Sequence, residues 1–181
     1  GSVMGSMSET TQIINFTRGY DSFDEDKDGS TIDERWKLAD IYHSNPVLVA
    51  KPNAGEDTSN KNSDDYYRHQ NNYKAFKNKW SSRPVTILAG SNGGMLHAFS
   101  NVSGDEKWAF IPPSIIPKLR RVNGGQANKS ISIYGVDGSP VIKDIYSNGK
   151  WQTVAVFGMG EGEHSYSALD ITDINAPKHM W

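Results

Sequence analysis

The chain contains no cysteine among its 181 residues. Disulfides, cysteine-ligated zinc, iron–sulfur clusters and thiol catalysis are therefore excluded. The chain also lacks a charge excess, because 19 basic and 21 acidic side chains leave a formal net charge of −2. This balance argues against general electrostatic binding to nucleic acid. No run of about 18 apolar residues is present, so the sequence predicts no membrane span.

What the chain does contain favours strands and turns, with 17 glycines and many Trp, Tyr and Phe residues. We assign residues 1–12 to a cloning remnant and a disordered N-terminus, because GSVMGSM lacks the regions of a signal peptide. Residues 13–181 are assigned to one fragment of a larger domain, whose fold the internal repeat described next predicts. The apolar end at 178–181 predicts an engineered cut inside a longer protein.

An internal repeat predicts the architecture. Residues 85–100 form a predicted hairpin followed by Trp108, and residues 153–170 form a similar unit followed by Trp181. The aligned pairs are Gly90 with Gly158, Ala98 with Ala168, Phe99 with Leu169, and His43-Ser-Asn-Pro-Val47 with Asp137-Gly-Ser-Pro-Val141. Such repeats are typical of propeller blades, and two units cannot close a ring of four to eight blades. We predict a mainly β, partial β-propeller; the alternative is a sandwich or meander with accidental similarity.

Alternating apolar patterns place the remaining strands. Strands are predicted at the end of residues 40–50 and at Val85–Ala89, Met95–Ser100, Ser130–Val136, Pro140–Tyr146, Gln152–Phe157 and Tyr166–Ile171. A polar insertion spans residues 51–83 and holds one amphipathic helix from Asp64 to Trp80, with Asp64 and Asp65 capping its start. We expect the aromatic face of this helix to pack on its own domain rather than on a partner. A short helix is predicted at Ser114–Arg121.

The strongest candidate site is the acidic loop of residues 24–34. Carboxylates at loop positions 1, 3 and 5 and glycine at position 6 (Gly29) can place oxygens around one Ca²⁺, with a backbone carbonyl at position 7. The loop departs from the EF-hand pattern at position 12, where Arg35 replaces glutamate, and no clear helix precedes it. We predict a free-standing structural calcium loop; the alternative is a solvated acidic turn. The predicted metal ligands are Asp24, Asp26, Asp28, Ser30, and Asp33 or Glu34 closing the shell.

Other candidate sites are weaker. No serine lies in a G-x-S-x-G elbow, and the glycines at 158, 160 and 162 lack the spacing of a nucleotide-binding loop. His97 lies in a predicted strand, where a hydrogen-bonded core histidine is expected. Because no convincing catalytic set emerges, we predict that the chain is not an enzyme.

A tryptophan-docking pattern follows the first hairpin. The segment from Ala98 to Trp108 has the spacing A-x-D-x-x-T-G-x-x-x-W of quinoprotein-type propellers, with Ser100 in place of Asp and Ser103 in place of Thr. In that motif the tryptophan packs between neighbouring blades and does not bind quinone. The pattern therefore predicts a fold of quinoprotein dehydrogenase-like blades and no activity.

Over about residues 15–181 the chain resembles the C-terminal β-propeller of PilY-type proteins. The strings that carry the resemblance are FDEDKDG (23–29), ERWKLADIYHSNPV (34–47), RP (83–84), AGSNGGMLHAF (89–99), WAFIPPS (108–114), VDGSPV (136–141) and ALD (168–170). The resemblance implies an exported type IV pilus protein at the pilus tip, cell surface, periplasm or outer membrane of a bacterium. It implies roles in pilus biogenesis, adhesion and twitching motility, with minor pilins and host or surface ligands as partners.

Two alternatives to a non-catalytic, calcium-binding pilus module remain open at this point. One is part of a pyrroloquinoline-quinone-dependent dehydrogenase propeller, which has the same kind of blades. The other is a structural segment whose acidic loop holds no ion. Because an incomplete propeller leaves strand edges unpaired, we also expect self-association through those edges.

Overall fold

The computed structural model describes residues 8–122 and 133–181. Within these ranges the chain is mainly β, as predicted. The strands are β1 (Val47–Val49), β2 (Thr86–Gly90), β3 (Leu96–Ser100), β4 (Glu106–Phe110), β5 (Val141–Ser147), β6 (Lys150–Gly158), β7 (Tyr166–Asp170) and β8 (Lys178–His179). The helices are α1 (Glu9–Thr17), α2 (Asp64–Gln70), α3 (Tyr73–Lys79) and α4 (Leu119–Val122), with 3₁₀ turns at Ile116–Lys118 and Gly160–Gly162. Among the described residues, no helix has the length and apolar character needed to cross a membrane.

The strands form two four-stranded antiparallel sheets, each in the order of the chain, β1-β2-β3-β4 and β5-β6-β7-β8. The repeat is confirmed in the register of the sheets. Ala98 lies opposite Trp108 in the first sheet, and the Ala168 amide donates to the Trp181 carbonyl at 3.0 Å in the second. Each sheet is thus one four-stranded meander of the kind that forms a propeller blade.

The matched segments before β1 and β5 also contact each other directly. His43 Nδ1 lies 2.6 Å from Asp137 Oδ2, and the Asn45 amide donates to Ser139 Oγ at 2.9 Å. These are equivalent positions of the two repeats, so the units are joined at the start of each sheet. The aligned flanking motifs hold the blades side by side.

One hydrophobic core extends across both sheets. Leu88 and Leu96 of the first sheet and Phe157 and Leu169 of the second belong to the same cluster of buried side chains. Trp108 of β4 packs against this core, and its Nε1 donates to the Ile174 carbonyl beyond β7 at 2.7 Å. The docking of this tryptophan between blades, predicted from the motif, is therefore confirmed.

The insertion contains two helices, so the prediction of a single helix from Asp64 to Trp80 was wrong. Asn72 takes a left-handed backbone conformation (φ 52°), and the Asn71 side chain donates to the Tyr67 carbonyl at 2.9 Å. Asparagine tolerates this conformation and competes for backbone hydrogen bonds, which ends the first helix. Ser63, not an aspartate, caps α2 by accepting from the Tyr66 amide.

The aromatic face of the insertion packs on the second sheet, as expected. Tyr73 and Phe76 are buried, and the Tyr73 ring lies 4.8 Å from the Trp151 ring of β6. Trp151 Nε1 donates to the Asn71 carbonyl at 2.8 Å, and the Tyr73 hydroxyl donates to Asp144 of β5. The helices are therefore fixed to the β5–β6 hairpin of the second sheet.

Two further predictions differ from the structure. Residues 9–12, assigned to a disordered N-terminus, belong to α1, because Ser8 caps the helix and Phe16 is buried against the domain. The predicted strand Ser130–Val136 lies partly outside the described residues, and residues 133–136 are not a strand. There Gly135 packs against the turn at Ser91 and Gly94, and the Val136 amide donates to the Ser91 carbonyl at 3.0 Å.

Candidate metal centre

The acidic loop is closed at its base by backbone hydrogen bonds. The Asp21 amide donates to the Asp33 carbonyl at 2.9 Å, and the Arg35 amide donates to the Gly19 carbonyl at 3.0 Å. Inside this base the buried Asp21 carboxylate accepts from the Glu25 amide at 2.8 Å. Asp21 was not among the predicted site residues, although its position before the acidic run is a signal for such a turn.

Left-handed residues and side-chain hydrogen bonds shape the loop. Asp24, Lys27 and Gly29 have φ values of 51°, 63° and 85°. The Gly29 amide donates to Asp24 Oδ1 at 3.1 Å, and the Ser30 amide donates to Asp28 Oδ1 at 2.7 Å. Glycine adopts a positive φ without steric cost, so Gly29 permits the sharp turn that the sequence predicted.

The structure brings together the first three predicted ligands. One carboxylate oxygen from each of Asp24, Asp26 and Asp28 lies within 4.8 Å of the other two. Oxygens about 2.3–2.6 Å from a common Ca²⁺ can be at most about 5.2 Å apart, so three oxygens at this spacing can share one ion. Asp26 and Asp28 are exposed and Asp24 is half-buried, which leaves an approach for a cation from solvent.

The remaining predicted ligands are the Ser30 backbone carbonyl and the side chains of Asp33 and Glu34. Asp33 and Glu34 are outside the group of three carboxylates. Glu34 pairs with Lys37 at 3.3 Å and forms an isolated β-bridge with Tyr20. Ser30 is half-buried in the turn, with its amide bonded to Asp28.

Asp33 is a test of whether a cation fits the loop. Its Oδ1 is buried and has no hydrogen-bond partner among the described residues. A buried carboxylate oxygen without a partner destabilises the fold, but Asp33 lies outside the group of three carboxylates, so the fit of a cation rests on the donor chemistry of that group. The hard oxygen donors of the loop are those that Ca²⁺ prefers, so the residues present fit this ion.

A helix precedes the loop, contrary to the expectation from the sequence. α1 ends at Thr17, and its Phe16 ring packs edge-on against Phe23 at 5.5 Å. Arg35, which replaces the EF-hand glutamate, places its guanidinium 3.7 Å from the Phe16 ring centre and its Nε 3.4 Å from Glu25. The loop is thus anchored to the helix on its N-terminal side by packing and a cation–π contact.

His97 forms the arrangement most similar to a catalytic set. Its Nε2 lies 2.8 Å from Ser91 Oγ, and its Nδ1 lies 2.5 Å from Glu106 Oε1. Ser91 is 1% exposed, and its backbone is bonded to Met95 and Val136. A nucleophile needs access to substrate, so this arrangement matches the hydrogen-bonded core histidine that the sequence predicted.

Comparison with known proteins identifies the family. The PilY1 beta-propeller domain family matches residues 38–180. The type IV pilus biogenesis factor PilY1 of Pseudomonas aeruginosa strain UCBPP-PA14 is 31% identical over 170 residues, which are 94% of this chain and 14% of that protein. A type IV pilus biogenesis factor PilY1 homolog of Xylella fastidiosa strain Temecula1 is 32% identical over 98% of this chain and 12% of its own length.

A solved structure agrees with these relatives. The crystal structure of the Pseudomonas aeruginosa PilY1 C-terminal domain is similar, with a TM-score of 0.54 and 31% identity. The match covers 74% of this chain and 24% of that one. The chain spans 12–14% of the length of the two curated relatives described above. By its sequence match and by the arrangement of its sheets, the chain belongs to the PilY1 beta-propeller domain family.

Proposed function

We propose that this chain is a non-catalytic propeller module of an exported type IV pilus biogenesis protein. The observation that carries the proposal is the match of residues 38–180 to the PilY1 beta-propeller domain. Two relatives at 31–32% identity bear the name of pilus biogenesis factors. On this proposal the whole protein acts at the pilus tip or bacterial surface, in pilus assembly, attachment and twitching motility, and contacts minor pilins and surface ligands.

Deletion of the gene in the source bacterium tests the pilus role. We expect surface pili and twitching zones to be lost, and both to return when the full-length protein is supplied in trans. A deletion strain with normal pili and normal twitching would contradict the proposal. Because the readout is the pilus itself, this test does not depend on calcium.

We further propose that the loop of residues 24–34 binds one Ca²⁺ in a structural role. The observation that carries this proposal is the 4.8 Å grouping of the Asp24, Asp26 and Asp28 oxygens. Bound Ca²⁺ would supply positive charge among three carboxylates that repel one another at this distance. Asp24 and Asp28 would hold the ion from the two ends of the turn, while Asp21 and the backbone bonds at the base keep the loop in place.

Calorimetric titration of the chain with Ca²⁺ tests the loop. We expect saturable heat for one site, and its loss in the Asp24→Asn/Asp28→Asn double variant, which keeps the side-chain size. Asp105→Asn, in the exposed turn before β4, is the matched control and should bind as the unchanged chain does. Identical heats for the double variant and the unchanged chain would reject the site.

On the non-catalytic proposal, Ser91 has a structural role, being 1% exposed and bonded to His97. The alternative hypothesis is that these blades belong to a pyrroloquinoline-quinone-dependent dehydrogenase. Quinone titration of the full-length protein with a redox dye distinguishes the non-catalytic hypothesis from the dehydrogenase hypothesis. We expect no dye reduction above the protein-free rate, and quinone-dependent turnover would contradict the proposal.

A further inference from the structure

A cleft of about 660 Å³ lies between the helical insertion and the second sheet, far along the chain from the acidic loop. Its walls come from the break between α2 and α3, from α3, from the β5–β6 hairpin and from the segment after β7. This volume is within the range of small-ligand pockets, about 300–1,000 Å³. The proposed pilus role and the proposed calcium site use none of these residues.

Four aromatic side chains are among the residues that line the cleft. Trp80, Tyr146 and Trp151 are half-buried and line it together with the buried Phe76. Trp151 is fixed in position, because its Nε1 donates to the Asn71 carbonyl at 2.8 Å and its ring lies 5.3 Å from the ring of Tyr146. Fixed aromatic rings offer flat apolar surface at a low cost in conformational entropy.

Polar groups also line the cleft, and several of them are hydrogen-bonded to neighbouring residues. Asp170 accepts from the Thr172 hydroxyl at 2.6 Å and from the Gln152 amide group. Burial by itself would raise the pKa of Asp170, but these hydrogen bonds, a further one from the Thr172 amide and the charge of Lys150 together hold the pKa below its usual range. Side chains of Gln70 and Asn72 add amide donors and acceptors at the rim.

Three lysines, Lys79, Lys150 and Lys178, also line the cleft. Within the described residues none of the three has a carboxylate within 4.0 Å in an ion pair, and Lys79 Nζ lies 5.6 Å from the centre of the Trp80 ring. Two carboxylates also line the cleft: Asp170, which interacts electrostatically with Lys150, and Asp173, which accepts from the Asn175 amide at 3.0 Å. The three ammonium groups outnumber the two carboxylates, so the lining has a net positive charge that favours an anionic ligand.

We propose that this cleft binds an acidic oligosaccharide, with sugar rings stacked on Trp80 and Trp151 and sugar carboxylates facing the lysines. The apolar face of a pyranose ring matches a fixed indole, and ring hydroxyls match the amides and Asp170 as hydrogen-bond partners. The lysines select a charged sugar over a neutral one. An acidic peptide would use the lysines but has no flat ring for the two tryptophans, so a uronic-acid saccharide fits the whole set of groups better.

Tryptophan fluorescence and calorimetry with the 181-residue chain test the proposal. The probes are a galacturonate tetrasaccharide, the neutral maltotetraose and a tetraglutamate peptide. We expect saturable binding of the galacturonate at one site, and binding of maltotetraose and tetraglutamate at least about tenfold weaker. Raising the salt concentration should weaken the galacturonate binding, because its carboxylates meet exposed lysines.

Matched variants locate the site. Lys150→Ala/Lys178→Ala should weaken galacturonate binding at least about tenfold, and Trp80→Ala should remove most of the fluorescence change. Lys74→Ala is the control, since Lys74 is an exposed residue of α3 that does not line the cleft. Melting temperatures of all variants establish that each is folded; the lysines are exposed, so the double variant keeps the test valid if Trp80→Ala unfolds.

Three results would overturn the proposal. Absence of binding at a galacturonate tetrasaccharide concentration of about 10 mM would contradict the proposal that the cleft binds an acidic saccharide. Equal binding of maltotetraose would contradict the selection by charge, and equal binding of tetraglutamate would identify a cleft for acidic peptides instead. Unchanged binding in Lys150→Ala/Lys178→Ala would place the ligand elsewhere on the chain.

Discussion

The two four-stranded sheets, here called the body, and the acidic loop of residues 24–34 are stabilised by different interactions. In the body, apolar side chains such as Leu88, Leu96 and Phe157 are at most 1% exposed and pack in one core. In the loop, carboxylates bond to nearby backbone amides, and Asp26 and Asp28 stay in solvent. The body is therefore stabilised by its own apolar packing, whereas the loop gathers three like charges that a cation would compensate.

Substitution in the body should give the largest effect, whether or not calcium is present. Trp108→Ala removes a ring packed on the core and leaves the Ile174 carbonyl without its indole donor. We expect a loss of about 3 kcal/mol in the free energy of unfolding, at the low end of the usual cost because the ring is half-buried. Urea denaturation followed by circular dichroism measures it.

Trp181 is the matched control for Trp108, because it occupies the same position of the repeat in the second sheet. Its side chain is 60% exposed. Trp181→Ala should change the free energy of unfolding by no more than about 0.5 kcal/mol. Equal losses for the two variants would contradict the docking role of Trp108.

The aligned glycines of the repeat give the next largest difference. A Cβ at Gly90 would lie 2.1 Å from the Val136 carbonyl oxygen, which is backbone and cannot turn away. A Cβ at Gly158 would meet the ring of Tyr166 at 2.9 Å, and that side chain is 71% exposed. We expect Gly90→Ala to lose about 2 kcal/mol and Gly158→Ala less than about 1 kcal/mol in the same measurement. A larger loss for Gly158→Ala than for Gly90→Ala would contradict the close approach of Gly90 to the Val136 backbone.

Substitution of Tyr73, at the contact between the helical insertion and the second sheet, should give a smaller and pH-dependent loss in the free energy of unfolding. Burial raises the pKa of Tyr73, and the hydrogen bond to Asp144 and the charge of that carboxylate raise it further. A raised pKa in the folded state means that this stabilisation is complete below the unfolded pKa of about 10 and is lost as pH rises above it. Tyr73→Phe should cost about 1 kcal/mol at pH 8.

Denaturation at pH 8 and pH 10.5 checks this sign. The unchanged chain should lose stability between the two values by more than Tyr73→Phe does. Parallel losses in the two proteins would show that folding does not raise the pKa of Tyr73.

The loop should give the smallest effect when calcium is absent. Asp24→Asn keeps an oxygen that can accept from the Gly29 amide and removes one of the grouped charges. In chelator we expect a change of no more than about 0.5 kcal/mol in the free energy of unfolding. With Ca²⁺ at about 100 times its dissociation constant, the unchanged chain should gain about 2.7 kcal/mol and the variant clearly less. Equal gains in stability for the unchanged chain and the variant would show that Ca²⁺ does not stabilise the protein through Asp24 of the loop.

Features that depend on local pattern could be predicted from the sequence. The repeat, its hairpins and the docking of Trp108 follow from alternating residues and from Gly and Trp at fixed positions. The grouping of Asp24, Asp26 and Asp28 is also local, because the spacing and Gly29 determine the turn. These residues lie close together in the chain, so no distant contact is needed to place them.

Features that depend on distant contacts were missed. The pairing of His43 with Asp137 joins residues 94 positions apart, and residues 133–136 follow the turn at Ser91 instead of forming a strand. α1 was overlooked because its polar residues gave a weak pattern, although Ser8 is a suitable cap. Asp33 and Glu34 lie outside the carboxylate group because the loop base engages the Asp33 carbonyl and Lys37 pairs with Glu34.

The measurement that tests the calcium proposal most directly is a crystal structure grown with millimolar Ca²⁺ and measured at a wavelength where calcium scatters anomalously. The account predicts one anomalous peak in the acidic loop, about 2.3–2.6 Å from oxygens of Asp24, Asp26 and Asp28. It also predicts that the two sheets keep their structure in crystals grown with chelator. A well-ordered loop with no peak at that calcium concentration would contradict the account.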